Sequence, residues 1–160
     1  MKVAVLTVSD GVAEGSREDR SGDLLDELLA GEGYEVERRV VPDEGAEIAR
    51  AIEELAEGGA RLVLTTGGTG VAPRDVTPEA TTTVLDRTAP GIAEAIRSDA
   101  IGRTPHAMLS RGLAGVRGRT LVVNLPGSPG GCRDGFDVLR PALDHALKLL
   151  AGEPTAHKQT

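Results

Sequence analysis

Short apolar runs alternate along the chain with segments whose apolar residues recur every three or four positions. The runs at 3–8, 62–64 and 121–125 are almost wholly apolar and predict strands that are buried on both faces. Residues 34–41 instead mix apolar and charged side chains, which predicts a less buried strand. Because helical patterns separate these strands, the chain is predicted to form a three-layer α/β/α sandwich around a mainly parallel central sheet.

The helical segments have recognisable ends. In the first, Leu24, Leu25, Leu28 and Leu29 fall on one side, Ser21 is the predicted N-cap, and a glycine at 31 or 33 ends the helix. Further helices are predicted over 46–57, from Pro78 with Thr77 as N-cap, over 90–101, and over 135–150 with a break at Pro141. Residues 12–20 and 112–118 are predicted to be loops, and 153–160 a polar tail after a single domain of residues 1–152.

Composition and charge narrow the function classes. The 160 residues carry a formal net charge of −7 and include one Tyr, one Phe and no Trp. Nucleic-acid binding uses basic patches and aromatic stacking, so neither duplex nor single-stranded nucleic acid is an expected partner. No apolar stretch reaches the roughly 18–20 residues that span a bilayer. Cys132 is the sole cysteine and is interpreted as a packing residue. Because no internal disulfide can form and no signal peptide is recognisable, a cytoplasmic protein is predicted.

Polar or Gly/Pro-rich residues follow each predicted strand. Ser9 and Asp10 follow the first, residues 66–70 the third and 124–128 the last, while Pro42 and Asp43 follow the more exposed strand. Ligands of open α/β sheets bind beyond the carboxyl ends of the strands. These loops are therefore expected to converge on one edge of the sheet and to form the binding site there.

The loop at 67–70, GGTG, has the character of an anion-binding loop. Glycines let backbone amides close around a phosphate, and Thr65, Thr66 and Thr69 add hydroxyl groups. A Walker A loop would need Lys followed by Ser or Thr after the last glycine, but residues 71–73 are Val-Ala-Pro. Pro73 also excludes a Rossmann loop that opens directly into a helix. Neither standard nucleotide motif is present.

Two aspartates are candidates for metal chemistry. Asp75 lies just before a predicted helix start, so it is either a carboxylate that favours the helix dipole or a metal ligand. Asp43, in a turn at another strand end, is either an ordinary turn residue or the second ligand. Mg²⁺ is usually held by one or two carboxylates together with substrate phosphates and water. The pair therefore predicts a magnesium site.

Other polar residues near these loops stay open to two interpretations. Ser21 either only caps its helix or, with the neighbouring amides, also binds a phosphate. Arg20 and Arg74 are either surface charges or contacts to an anionic substrate. His106 is more simply structural than catalytic, because the chain offers no partner residues for a triad or a metal site around it.

These motifs together resemble the molybdenum-cofactor biosynthesis proteins of the MogA/MoaB type, which include the plant molybdenum-insertion G domain. The matching strings are VAVLTVSDGV at 3–12, DRSG at 19–22, VVPDE at 40–44, TTGGTGVAPRDVTPEAT at 65–81, PG at 90–91, TPHAMLSRGLAGVRG at 104–118 and LVVNLPGSP at 121–129. The string at 65–81 is the most specific. Some MoaB-type members lack DVTP and are doubtful adenylylators, whereas this chain retains it.

The resemblance implies a homotrimeric molybdopterin adenylyltransferase that uses ATP with Mg²⁺ and releases pyrophosphate, with a molybdenum insertase as a further partner. By motif match, Asp43 and Asp75 correspond to the catalytic, metal-binding aspartates. The residues expected to bind the substrates are Ser9, Asp10, Ser21, Gly22, Thr66, Gly67, Gly68, Thr69, Gly70, Thr77, Pro78, Ser110, Pro126, Gly127 and Ser128.

Three other functions fit parts of the pattern. A non-catalytic molybdopterin carrier of the same fold would need the loops but not the aspartate pair. The insertase itself is a much longer multidomain chain than these 160 residues. An unrelated nucleotide-binding regulator would bind nucleotide without any dependence on a pterin.

Overall fold

The computed structural model describes residues 1–155, which contain six strands and six α-helices. In chain order the elements are β1 (Lys2–Val8), α1 (Asp10–Ala13), α2 (Arg20–Gly31), β2 (Glu35–Val41), α3 (Gly45–Glu57), β3 (Leu62–Thr66), α4 (Thr77–Val84), β4 (Arg87–Thr88), α5 (Pro90–Ile101), a 3-10 helix (Pro105–Leu109), β5 (Ala114–Arg117), β6 (Thr120–Leu125) and α6 (Pro129–Ala151).

The strands form one six-stranded sheet in the order β2-β1-β3-β6-β5-β4. The pairs β1/β2, β1/β3 and β3/β6 are parallel, and β5 and β4 add an antiparallel edge. The register places Thr7 opposite Val40 and Thr66, and Thr66 opposite Leu125. The four parallel strands therefore end at the same edge, and the predicted α/β class with a mainly parallel sheet is confirmed.

Both faces of the sheet are covered, which explains the apolar strands. Along β1, Val3 and Val5 pack into the cluster that includes α2 and α6, whereas Ala4, Leu6 and Val8 pack toward α3 and α4. Side chains of a strand alternate between its faces, so a strand covered on both sides must be apolar at nearly every position. Fully burying each Leu or Val stabilises the fold by roughly 1.5–3 kcal/mol.

Two predicted helix caps are wrong, because each predicted cap residue already lies inside its helix. Asp19, not Ser21, is the N-cap of α2, and its carboxylate accepts a hydrogen bond from the Gly22 amide at 3.0 Å. Thr77 is already inside α4, and Val76 is the N-cap without a side-chain hydrogen bond. The Thr77 hydroxyl is committed elsewhere, because it donates to the Gly67 carbonyl at 2.9 Å.

Three element boundaries also differ from prediction. Residues 12–20 are not wholly a loop, since Asp10–Ala13 forms α1, whose N-cap is Ser9. Residues 112–118 contain the buried strand β5, which the sequence pattern did not indicate because its first two residues, Ala114 and Gly115, are small. The last helix begins at Pro129 and continues through Pro141 without a break. Ser128 caps it by accepting from the Gly131 amide at 3.1 Å, so PGG starts a helix here instead of extending a loop.

Within residues 1–155 no helix has both the length and the apolar character needed to cross a membrane. Positions 156–160 of the predicted tail at 153–160, which include His157, lie outside the described residues. The assignment of residues 1–152 to a single domain stays a prediction.

Candidate active site

A cavity of about 770 Å³ opens beyond the carboxyl ends of the parallel strands. This volume lies within the range of about 300–1,000 Å³ that is usual for small-molecule sites. Nine of the residues predicted from the sequence line it: Ser9, Ser21, Asp43, Thr66, Gly67, Gly68, Asp75, Gly127 and Ser128. Apart from Ser21 in the first turn of α2 and Asp75 before α4, they lie at or just after the ends of β1, β2, β3 and β6, so the expected convergence of these loops is observed.

The sheet topology explains why the cavity lies where it does. From β1 the chain crosses to β2 on one side, and it later returns to place β3 on the other side of β1. The connections that leave β1 and β3 therefore diverge to opposite faces of the sheet. Ligands of doubly wound sheets bind in the crevice that such a switch point opens.

The glycine loop after β3 needs its first two glycines for steric reasons. Gly67 and Gly68 have φ angles of 99° and 67°, which side chains rarely tolerate. A Cβ on Gly67 would overlap the Val8 carbonyl oxygen, and one on Gly68 would overlap the Thr77 hydroxyl. Thr77 supports this loop from within the core: it is fully buried, and its amide donates to the Gly68 carbonyl at 3.1 Å. Thr77 therefore lies beneath the cavity surface instead of lining it.

Asp43 is held by Asp10 in a reciprocal contact. The Asp10 amide donates to Asp43 Oδ2 at 2.8 Å, and the Asp43 amide donates to Asp10 Oδ1 at 3.0 Å. Arg74 completes the group with two hydrogen bonds to the Asp10 carboxylate, at 2.6 and 3.0 Å. These donors, Arg74 first, hold the pKa of Asp10 below its usual value. Asp10 is thus an ionised bridge between the loop that carries Asp75 and the turn that carries Asp43.

Asp75 closes its own loop instead of capping α4. Its Oδ2 accepts from the Ala72 amide at 3.0 Å, and its own amide donates to the Ala72 carbonyl at 2.9 Å. No side chain caps the first turn of α4, so the structure does not support the capping interpretation. Neither Asp43 nor Asp75 forms a salt bridge with another side chain of residues 1–155. Both carboxylates therefore face the cavity with lone pairs that no cation of this part of the chain occupies.

The start of α2 forms a second wall, which the sequence predicted only in part. Arg17, Asp19 and Arg20 line the cavity beside Ser21. Asp19 accepts hydrogen bonds from Thr7 at 2.8 Å and from Arg38 at 2.5 Å as well as from the Gly22 amide. Gly22 is buried, and its amide is already paired, so of the two predicted residues only Ser21 faces the cavity. The DRSG string at 19–22 could have indicated Asp19 as the N-cap of α2, because Asp is as good an N-cap as Ser.

The turn after β6 forms the floor of the cavity. Thr66 donates to the Pro126 carbonyl at 2.8 Å, which fixes this turn against the end of β3. A Cβ on Gly127 would come within 3.4 Å of the Gly67 Cα, so the two glycine turns lie against each other. Pro126 does not itself line the cavity; it contributes through its carbonyl.

Cys132 lies behind this floor and is fully buried. Burial raises the pKa of its thiol to about 11, so the thiol is almost wholly protonated near neutral pH. We expect no measurable alkylation of the native protein by iodoacetamide at about pH 8 within an hour, because the thiolate is the reactive form. Full labelling is expected in denaturant. Rapid labelling of the native protein, followed by mass spectrometry, would contradict the buried position.

Some predicted residues lie next to the cavity but do not line it. Thr69 and Gly70 continue the glycine loop, and Pro78 is buried in the first turn of α4. Ser110 also lies outside the lining, and its hydroxyl accepts from the Gly112 amide at 3.3 Å. His106 is exposed on the 3-10 helix and does not line the cavity.

The donor set fits a cation that a substrate helps to hold. No group of three or more His, Cys, Asp or Glu side chains with metal-binding geometry occurs among residues 1–155. The two carboxylates that line the cavity, Asp43 and Asp75, are instead the number that Mg²⁺ takes from a protein when substrate phosphates and water supply the remaining ligands.

The fold and the cavity define a doubly wound α/β protein with its candidate site at the switch point of the sheet. Residues 4–145 match the model of the family described as "Probable molybdopterin binding domain". The chain belongs to this family of molybdenum-cofactor biosynthesis proteins, and the resemblance seen in its motifs is confirmed.

Solved structures agree with this membership. The molybdopterin biosynthesis enzyme MoaB from Thermus thermophilus is 50% identical, with a TM-score of 0.89 over 96% of this chain and 98% of its own. A structure of MogA is 42% identical, with a TM-score of 0.90 over 94% of this chain and 99% of its own.

The curated relatives differ in length, and this chain matches a different share of each. The molybdopterin adenylyltransferase of Escherichia coli K12 is 38% identical over 89% of this chain and 75% of its own length. Gephyrin of Dictyostelium discoideum is 40% identical over 95% of this chain, and the matched part is only 23% of gephyrin. The bifunctional molybdenum-cofactor protein of Chlorobaculum tepidum is matched over 49% of its length. The chain thus spans about a quarter to a half of these longer relatives, and the predicted enzyme class agrees with the names of the shorter ones.

Proposed function

We propose that the chain is a molybdopterin adenylyltransferase that uses ATP with Mg²⁺. The observation that carries this proposal is the pairing of two carboxylates, Asp43 and Asp75, with a glycine loop on the wall of one switch-point cavity. The relatives of similar length that are named molybdopterin adenylyltransferase support it.

In the proposed reaction, an oxygen of the terminal phosphate of molybdopterin attacks the α-phosphorus of ATP. The new phosphorus–oxygen bond forms as the bond to the β-phosphate oxygen breaks, which gives adenylyl-molybdopterin and pyrophosphate. Such a transfer needs positioning and charge neutralisation more than a covalent intermediate. The absence of a Ser/His or Cys/His pair among the lining residues is consistent with this requirement.

Each wall of the cavity has a proposed part in this reaction. The Gly68 amide is the proposed backbone donor to the phosphates, whereas the Gly67 amide already donates to the Leu125 carbonyl at 3.3 Å and shapes the turn. Arg17, in the loop before α2, and Arg20, the first residue of α2, offer the cationic contacts of the opposite wall. Asp43 and Asp75 would hold Mg²⁺, which supplies charge neutralisation to the phosphates when it is bound.

The most direct assay is pyrophosphate release with Mg-ATP in the presence and absence of molybdopterin. We expect release only when molybdopterin and Mg²⁺ are both present. Molybdopterin binding without pyrophosphate release would instead indicate the carrier function of the same fold. Release that does not depend on molybdopterin would indicate another nucleotide reaction and overturn the proposal.

We further propose a cytoplasmic homotrimer that passes its product to a molybdenum insertase. The free thiol of Cys132 suits a reducing compartment.

The trimer is supported by three large apolar side chains that lie near one another in sequence and are exposed. Their exposed fractions are 42% for Ile101, 60% for Met108 and 49% for Leu109, as expected of a surface that a second copy covers. The bifunctional relative of Chlorobaculum tepidum supports a link to a second activity. Light scattering that gives the mass of a single chain would contradict the trimer.

A further inference from the structure

Arg111 contacts the loop that carries Asp75 at several points, although it lies far away in sequence and outside the cavity lining. Its backbone amide donates to the Thr69 carbonyl at 2.8 Å. Its Nε donates to the Gly70 carbonyl at 2.8 Å, and its Nη2 donates to the Asp75 carbonyl at 2.7 Å. One residue therefore binds both ends of the segment from 70 to 75.

The guanidinium also reaches the helix that follows this loop. Arg111 forms a salt bridge with Glu79 in the first turn of α4, and this contact lowers the pKa of the Glu79 carboxylate. The loop is thereby tied to α4 as well as to itself. Its internal closure is otherwise slight, consisting of the hydrogen bonds between Asp75 and Ala72.

A second arginine fixes Arg111 in turn. Arg97 on α5 donates to the Ser110 carbonyl at 2.9 Å and to the Gly112 carbonyl at 3.2 Å, the residues on either side of Arg111. The contacts thus run from α5, through the 110–112 segment, to the Asp75 loop. Each arginine uses its guanidinium to bridge two carbonyl oxygens, which the point charge of a lysine cannot do with the same fixed geometry.

We infer that Arg111 is a positioning residue of the Asp75 loop, alongside the contact between Arg74 and Asp10, and that it helps to set where the Asp75 carboxylate stands in the cavity. This inference rests on the proposed function, because it assigns Arg111 a part in turnover without contact with either substrate. Displacing a reacting or metal-binding group by about 1 Å can reduce the rate on the order of 100-fold. A loosened loop should therefore reduce kcat while leaving substrate binding by the other walls intact.

The test compares Arg111→Lys with Arg103→Lys. Arg103 is a matched control, because it is an exposed arginine that pairs with Asp99 and Asp134 away from the loop. Hydrogen exchange of the Ala72 and Asp75 amides reports on loop closure without any need for activity. In Arg111→Lys we expect these amides to exchange at least about fivefold faster, kcat to fall about 10- to 100-fold, and the KM for molybdopterin to change less than about threefold. Arg103→Lys should match the wild type in all three measurements.

The outcomes separate this inference from the proposed function. Unchanged exchange at Ala72 and Asp75, a kcat within twofold of wild type, or a rise in KM at constant kcat would each overturn the role of Arg111. Arg97→Lys, one contact further from the loop, should shift the same amides in the same direction by less, and it decides the question if Arg111→Lys does not fold. A wild-type protein without molybdopterin-dependent turnover would refute the proposed function, and the exchange measurement alone would then judge whether Arg111 holds the loop.

Discussion

Replacement of Asp75 by Asn is expected to reduce molybdopterin-dependent pyrophosphate release on the order of 100- to 1,000-fold, the usual effect of removing one preorganised electrostatic contact from a site of charge transfer. The variant loses the negative charge that would help to hold Mg²⁺ against the phosphates of ATP. It retains the amide oxygen, which can still accept from the Ala72 amide that Asp75 Oδ2 binds at 3.0 Å. The thermal midpoint should therefore stay close to that of the wild type.

Asp86→Asn is the matched control for this substitution. Asp86 lies at the antiparallel side of the sheet, away from the cavity, and also accepts a backbone amide, that of Gly118 at 2.6 Å. The same change from carboxylate to amide at position 86 should leave the rate of molybdopterin-dependent pyrophosphate release within about twofold of wild type. If Asp75→Asn were as active as Asp86→Asn, the role assigned to Asp75 would be refuted.

Gly67→Ala is expected to destabilise the fold by about 2–5 kcal/mol, which combines the cost of a left-handed non-glycine residue with that of a steric overlap. Gly67 has a φ of 99°, and a Cβ there would overlap the Val8 carbonyl oxygen. That oxygen belongs to the backbone and cannot move away as a flexible side chain could. Urea unfolding should show a lower midpoint at an unchanged m-value.

Gly31→Ala provides the control for Gly67→Ala. Gly31 ends α2, and a Cβ built on it would meet no atom within 4 Å. Because alanine favours a helix over glycine by roughly 0.5–1 kcal/mol, this variant should be neutral or slightly stabilised. A loss of less than about 1 kcal/mol in Gly67→Ala, similar to the control, would show that the loop can rearrange and that its glycine is not required.

Much of the fold could be predicted because both faces of the sheet are covered. Apolar runs such as 62–64 mark strands whose neighbours pack from both sides, and the mainly parallel sheet follows from alternating strands and helices. The errors arose where tertiary contacts outweigh local preference. Thr77 is a good N-cap by type, but its hydroxyl supports the Gly67 carbonyl instead. Pro141 did not break α6, because the apolar face that includes Leu139 and Leu143 stays packed against the core.

The sequence predicted which strand ends meet at the candidate site, but not the hydrogen bonds that connect the loops around it. The edge shared by Ser9, Asp43, Gly67 and Ser128 follows from parallel strands that end together. The contact from Arg111 to the Gly70 carbonyl joins residues 41 positions apart, and no spacing pattern encodes such a pairing. In the Asp75 loop, the acceptors of Arg111 are backbone carbonyl groups, which every residue carries. The residue types in the sequence therefore do not show which residues the arginine binds.

Adenylyl transfer to molybdopterin can be followed with ATP labelled on its α-phosphate. After incubation with Mg²⁺ and molybdopterin, we expect the label in a molybdopterin product, in an amount equal to the pyrophosphate released. Labelled AMP without a labelled pterin product would mean that water is the acceptor. Label that stays in ATP, with molybdopterin bound to the protein, would contradict the enzyme and leave a carrier.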